Sequence, residues 1–128
     1  MVGAFEHLAL NVRGQKAVED WYREHLGFAV VRRYSAGASF LADSTGRIVF
    51  ELYSRDDVPY FDGEGTHSLT VHIAYECDDV EGTAKDLLSA GATEDIPLTT
   101  SPDGDVVIML RDPFGITIQL IDRVEPLK

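Results

Sequence analysis

The chain is short of three things, and each shortage narrows what it can be. Cysteine occurs once among 128 residues, as Cys77, so no disulfide can close within the chain and a reducing, cytoplasmic setting is expected. Basic residues are scarce, 11 against 22 acidic, which leaves a formal net charge of −11. A surface of that sign repels phosphate backbones and anionic lipid, so nucleic-acid and membrane partners are not expected. Long apolar runs are missing as well: nothing approaches the roughly 20 residues that span a bilayer. The start, Met1 to His7, does not read as a signal peptide. What is present is an ordinary globular complement, 45% hydrophobic, at a length that suits one domain.

The chain reads as the same plan written twice. His7-Leu8-Ala9-Leu10-Asn11-Val12 leads into an amphipathic run that stops at Leu26-Gly27, and His72-Ile73-Ala74-Tyr75-Glu76-Cys77 leads into another that stops at Ala90-Gly91. Each half then closes on an alternating strand with a polar residue inside it, Glu51 within 48–53 and Gln119 within 116–121. The apolar stripes of the two helices are Ala17, Val18, Trp21, Tyr22 and Leu26, then Val80, Ala84, Leu87 and Leu88. Asp78 with Glu81 has the spacing of a capping box, and Gly27 and Gly91 stand where left-handed caps belong. Further strands are predicted at 29–34, 38–43, 93–98 and 106–111, the third pushed to an edge by Pro97. Turns are expected at Asp103-Gly104 and at Arg111-Asp112-Pro113-Phe114-Gly115. The prediction is one domain over 1–128 made of two β-α-β-β-β modules, 1–62 and 66–128, joined through residues 54–65.

Side chains alternate across a strand, so parity assigns faces. His7, Ala9 and Asn11 share one face of the first strand; Leu8, Leu10 and Val12 share the other, as backing for a helix. His72, Ala74 and Glu76 stand likewise against Val71, Ile73 and Tyr75. Parity groups Val49, Glu51 and Tyr53, and it groups Thr117, Gln119 and Ile121. His7, Glu51, His72 and Gln119 are therefore all expected on faces turned away from the helices. Two imidazoles, a carboxylate and an amide oxygen suit a divalent transition ion such as nickel, zinc, manganese or iron. Taken singly, each has a plainer reading: a strand histidine is ordinarily a hydrogen-bonded filler, and a strand glutamate a solvated one. Their matched positions in a repeat favour the metal reading. His25 is expected at the surface, Cys77 as a small buried hydrophobe, and Trp21 and Tyr22 in the core.

Four stretches also carry a resemblance: Glu6-His7-Leu8-Ala9-Leu10; Trp21-Tyr22 leading to Leu26-Gly27-Phe28; His72-Ile73-Ala74 leading to Asp78-Asp79-Val80; and Asp112-Pro113-Phe114-Gly115 leading to Gln119-Leu120. Across nearly its whole length the chain resembles the vicinal oxygen chelate superfamily. That group includes glyoxalase I, methylmalonyl-CoA epimerase, extradiol dioxygenases, fosfomycin-resistance transferases and bleomycin-resistance proteins. The resemblance implies an α+β fold of two paired βαβββ modules, usually in a homodimer that handles a small-molecule substrate. It also implies a divalent metal at His7, Glu51, His72 and Gln119. In glyoxalase I the last of these positions is a glutamate that moves a proton. Gln119 cannot do so, which leaves Glu51 as the catalytic carboxylate. No match to glutathione-binding residues is found, Arg13 being the nearest candidate cation, and the iron triad of the dioxygenases would want a carboxylate at Gln119. The expected activity is a metal-dependent isomerase or lyase that stabilises an enediolate or enolate of a small carbonyl compound. The alternatives are a bleomycin-resistance-type binding protein without chemistry, and a metal-dependent transferase that modifies an antibiotic with a thiol.

Overall fold

The computed structural model describes residues 1–127. The fold is α+β, with elements in the order β1 (Leu8–Asn11), α1 (Gln15–Leu26), β2 (Ala29–Arg33), β3 (Ser39–Ala42), β4 (Ile48–Tyr53), then β5 (Ile73–Glu76), α2 (Val80–Ser89), β6 (Thr93–Thr100), β7 (Val106–Arg111) and β8 (Thr117–Asp122). The chain divides into two compact units, Met1–Phe61 and Asp62–Lys128. Each holds one four-stranded sheet, ordered β1-β4-β3-β2 in the first and β5-β8-β7-β6 in the second. In both, the first strand runs parallel to the last and every other pairing is antiparallel. The duplication read from sequence is thus present in the topology.

The antiparallel corners share one construction. At Tyr34, Asp43, Ser101 and Asp112 the backbone N–H donates to the carbonyl four residues on, and its carbonyl accepts from the glycine three residues on. Those glycines, Gly37, Gly46, Gly104 and Gly115, all have positive φ between 87° and 106°. This is the three-residue hairpin, a tight turn closed by a left-handed residue, and a side chain would strain it. Asp43 and Asp112 add a second tie. Asp43 Oδ1 accepts from the backbone of Thr45 and Arg47, and Asp112 Oδ1 from the backbone of Phe114 and Ile116. Burial pushes the Asp43 carboxyl up, but its hydrogen bonds from Thr45 and Arg47 outweigh that and hold it below its ordinary value.

Parity places the core where alternation predicts. In the first unit Phe50 and Leu52 are buried beneath α1 with Leu10, Val12, Val18, Tyr22 and Leu41. Tyr22 meets the ring of Phe50 edge-on at 5.8 Å and that of Phe28 at 5.5 Å. In the second, Ile118 and Leu120 lie with Val80, Ala84, Leu87, Ile108 and Leu110. Each such side chain contributes about 1.5–3 kcal/mol by leaving water. A slip of one residue would turn Glu51 or Gln119 inward, so burial fixes the register as well. Trp21 and Tyr22 are core residues, as expected.

Several expectations need correcting. Leu88 and Ala17 belong to the predicted stripes but are exposed, and Leu8 is 40% exposed. Glu19 takes a buried place on α1 instead. The α2 cap is Asp79, whose side chain accepts from Gly82 N at 3.0 Å; the cap sits one residue later than Asp78, and Glu81 lies in the first turn without closing a box. Gly91 does end α2 as expected: Gly91 N donates to Leu88 O and Ala92 N to Leu87 O, the paired closure of a left-handed cap. Cys77 is half-buried, not fully, and its thiol donates to Thr83 Oγ1 at 3.1 Å. Strand β6 extends to Thr100 and is an edge strand whose register shifts on either side of Ile96, consistent with a proline that cannot donate to the ladder.

Candidate functional site

The two histidines occupy the same place in their units. His7 is the residue before β1 and His72 the residue before β5. In the parallel ladders Ala9 pairs with Glu51, and Ala74 pairs with Gln119. In each unit, therefore, the polar residue of the last strand stands beside the alanine two positions after the histidine, on the face that carries no helix. Alanine there leaves the space above the strand open.

In the first unit the donors meet. His7 Nε2 lies 3.3 Å from Glu51 Oε1, and His7 Nδ1 lies 2.8 Å from Glu6 Oε1. Both side chains are largely shielded, 26% and 20% exposed. Phe40, which pairs with Glu51 across β3 and β4, packs edge-on against the imidazole with centroids 5.3 Å apart. A hydrogen at Nδ1 that donates to Glu6 leaves the Nε2 lone pair turned toward the Glu51 carboxylate. Two lone pairs so placed repel unless a proton or a cation lies between them. Ligand atoms that share one ion at about 2.0–2.2 Å are separated by about 2.9–3.5 Å, and the His7–Glu51 separation falls within that range. Chemistry and spacing of this pair fit a divalent ion.

In the second unit His72 Nδ1 donates to Ser68 O at 2.8 Å. That bond fixes the tautomer and leaves Nε2 as the acceptor, the arrangement that orients metal-binding imidazoles. The carbonyl is supplied by a segment that Arg111 pins: its guanidinium donates to Gly63 O, to Thr66 O at 2.9 Å and to Gly115 O at 3.2 Å, and Nε lies 3.3 Å from Asp95. Gly63 allows the approach, since a Cβ there would lie 2.2 Å from Gly115 O. Gln119 is half-buried beside Met109 and Ala74 in the ladder. Among the described residues no group of three or more His, Cys, Asp and Glu side chains is placed to hold an ion.

Other polar residues near the first unit's face serve the scaffold. Asn11 Oδ1 accepts from Arg55 N at 2.7 Å, and its amide donates to the carbonyls of Arg55 and Pro59 at 2.9 and 3.0 Å. It thereby holds the loop that follows β4. Ser54, in that loop, accepts from Gln15 N at 3.1 Å and caps α1 from a distance. Arg13 lies over the Tyr60 ring, 4.3 Å from its centroid. Beneath the sheet, Glu19 accepts from Ser39 Oγ at 2.6 Å, from Gln15 Nε2 at 3.1 Å and from Arg33 at 2.7 and 3.2 Å. Burial pushes the Glu19 carboxyl up; hydrogen bonds from Arg33, Ser39 and Gln15, with the Arg33 charge, outweigh it and hold the group below the ordinary range. His25 is partly exposed and leans on Trp21, ring centroids 5.3 Å apart.

The supporting roles of Glu6, Phe40 and Ser68 were not read from sequence. Phe40 carried a signal, a lone aromatic at the open-face parity between Ser39 and Leu41. Glu6 and Ser68 act outside regular strands, where parity gives no direction.

Two βαβββ units, each with a histidine before its first strand and a polar residue in register on its last, define a vicinal-oxygen-chelate type of fold. The chain belongs to the Glyoxalase/Bleomycin resistance protein/Dioxygenase superfamily, whose family model matches residues 4–120. No curated protein matches it. Among solved structures it is similar to a Glyoxalase/bleomycin resistance protein/dioxygenase superfamily member from Sphaerobacter thermophilus, at 19% identity over 95% of this chain and 98% of that one, TM-score 0.74. It is also similar to a lactoylglutathione lyase from Agrobacterium tumefaciens, at 17% identity over 94% of each chain, TM-score 0.66. A bleomycin resistance determinant encoded on the transposon Tn5 aligns at 19% identity over 96% of this chain and 100% of that one, TM-score 0.66. Identities this low speak for the fold alone. No helix among the described residues is long and apolar enough to cross a membrane.

Proposed function

We propose that this protein is a metal-dependent, glyoxalase-like isomerase or lyase of small carbonyl compounds, working as a homodimer of single domains each built from two modules. His7, Glu51, His72 and Gln119 would hold a divalent ion, nickel, zinc, manganese or iron. The observation that carries the reading is the His7–Glu51 pair at 3.3 Å with His7 Nδ1 tied back to Glu6. Each unit offers two donors, so a full set needs two units, from one chain or from two. Bound there, the ion supplies Lewis-acid stabilisation for negative charge that develops on two neighbouring substrate oxygens. Glu51 takes a proton from the substrate carbon next to them and returns it to the adjacent carbon or to a leaving group. Gln119 stays neutral and only holds. Glu6 and the Ser68 carbonyl keep both imidazoles turned so that Nε2 faces the site.

Elemental analysis of the purified protein tests this, together with titration of the metal-stripped protein with each of the four ions. The expectation is uptake of an ion that both His7→Ala and His72→Ala abolish. A folded protein that takes up none of them ends the reading. The Glu51→Gln variant should lower turnover by about 10²–10⁴-fold, the usual contribution of a general base.

A second reading draws on the net charge of −11, which would concentrate a cationic drug, as a bleomycin-resistance-type binding protein does. Thermal stabilisation by cationic glycopeptides and not by metals would favour it. Turnover that depends on an added thiol would point instead to an antibiotic-modifying transferase.

A further inference from the structure

The face of the first sheet that carries His7 and Glu51 continues across two more strands, and what stands there restricts the ligand. Arg32 on β2 pairs with Phe40 on β3, and Phe40 pairs with Glu51 on β4. Directly paired residues point to the same side, so all three share the face without a helix. Strands lie about 4.8 Å apart, which puts the backbone of Arg32 about 10 Å from that of Glu51. The rings between them are continuous: Phe40 stands edge-on to His7 at 5.3 Å and to Tyr34 at 5.4 Å.

Arg32 and Arg33 are successive residues with opposite fates. Arg33 turns to the helix side and is spent on Glu19 at 2.7 Å. Arg32 turns to the open side, where it donates to Tyr34 Oη at 3.5 Å. Among the described residues no carboxylate lies within ion-pair distance of it, a state it shares with Arg13 and Arg47, whereas Arg23, Arg55, Arg111 and Arg123 each hold one. Of the three, Arg32 is the one in register with Phe40 and Glu51. A guanidinium fork beside a phenol hydroxyl is a donor set for a planar or tetrahedral oxyanion. At the other end of the row Glu6 and Glu51 repel an anion unless a cation intervenes. The row therefore has a polarity: reactive pair, aromatic floor, cationic end.

We propose that Arg32 and Tyr34 form the subsite for an oxyanion tail, so that the substrate is a small carbonyl compound with a carboxylate or phosphate several bonds from its reacting carbons. The proposal rests on the reading of His7 and Glu51 as the reactive end. Phe40 would lie under the connecting atoms.

The test uses calorimetric titration of the whole protein, both loaded with the ion it takes up and metal-free. The probes are 2-oxoadipate, 2-oxohexanoate and 2-oxo-4-phosphonobutyrate: the first two differ only in a terminal carboxylate against a methyl, and the third ends in a phosphonate. An anionic tail is expected to strengthen binding about tenfold or more, the worth of a charged hydrogen-bonded contact. The preferred tail, carboxylate or phosphonate, identifies the source. Arg32→Ala should erase the preference while metal uptake stays unchanged, Arg32→Lys should restore part of it, and Tyr34→Phe should reduce it. Equal binding of charged and uncharged tails by the unmodified protein, a preference that survives Arg32→Ala, or no measurable binding of any probe would each overturn the proposal. Failure of metal uptake would sink the reading of His7 and Glu51 instead; the tail preference of the metal-free protein then decides on Arg32 by itself.

Discussion

The two units are copies in topology, in turn construction and in the placement of their candidate donors, yet they differ in charge. On its last strand the first has a glutamate beside the alanine, and the second has a glutamine. At the fifth position of the helix the first buries Glu19 and ties it to Arg33, whereas the second buries Ala84. The second directs Arg111 to the carbonyls of Gly63 and Thr66 in the segment before β5 and of Gly115 in the β7–β8 turn. Duplicated backbones therefore differ in chemistry: the open face of the first unit carries Glu51 beside His7, and the second holds the imidazole of His72 against the neutral carbonyl of Ser68. The difference shows that register and topology can stay fixed while single residues reassign a face.

Exchanging the polar residues would break this contrast most directly. Glu51→Gln should cost turnover about 10²–10⁴-fold, and adding Gln119→Glu to that variant should recover part of the loss if the two positions face one ion. Steady-state rates of the single and double variants check it; a double variant as inactive as the single would show that the units are not interchangeable.

The next effect concerns stability. Glu19→Ala removes the acceptor for Ser39, Gln15 and Arg33, and should cost about 2–3 kcal/mol in urea unfolding, since Arg33 keeps its hydration at the surface. The pH dependence has a definite sign. The folded carboxyl is held below its ordinary value, so its contribution is complete above the unfolded glutamate range. It is lost as pH falls from about 4.3 through the lower folded value. Glu19→Gln should flatten that acid limb, whereas in the second unit the matching place in α2 is Ala84 and the carboxyl held low is Asp95, by Ser68 and Arg111.

Gly63→Ala sharpens the comparison from the other side. Its Cβ would meet the Gly115 carbonyl at 2.2 Å, so the loop must lift and loosen Arg111. About 2 kcal/mol of destabilisation is expected, with a weakened hold on His72 visible in the imidazole nitrogen shifts by NMR. Gly91→Ala should have the smallest effect, about 1 kcal/mol, from forcing a side chain into positive φ at the α2 cap; a thermal melt measures it.

Much of this was legible in the sequence because it rests on periodicity. Alternation within 48–53 and 116–121 gave the faces of Glu51 and Gln119, since the apolar partners on either side had one place to go. Gly27 and Gly91 marked both helix ends, and Gly104 and Gly115 marked two of the four hairpin corners, those at Gly37 and Gly46 going unread. What escaped reading depends on contacts between residues distant in the chain. Glu19 looks like a surface residue of α1 until Ser39 and Arg33 arrive from β3 and β2. The choice between Asp78 and Asp79 as cap turns on where α2 begins, since the first-turn amides of Glu81 and Gly82 both need an acceptor, and two adjacent aspartates leave the pattern ambiguous. Glu6 and Ser68 lie outside strands, where no alternation applies.

The parallel pairing of first and last strands has a consequence for how these units assemble. Hairpins β2–β3, β3–β4, β6–β7 and β7–β8 zip from local turns. By contrast, β1 must find β4, and β5 must find β8, across everything that lies between. Contacts of such long loop closure form late and are the first to fray. His7 with Glu51, and His72 with Gln119, span those seams. Native-state hydrogen exchange should find the amides of β1 and β5 opening before those of β3 and β7, so the candidate ligands part company while most of each sheet is still intact.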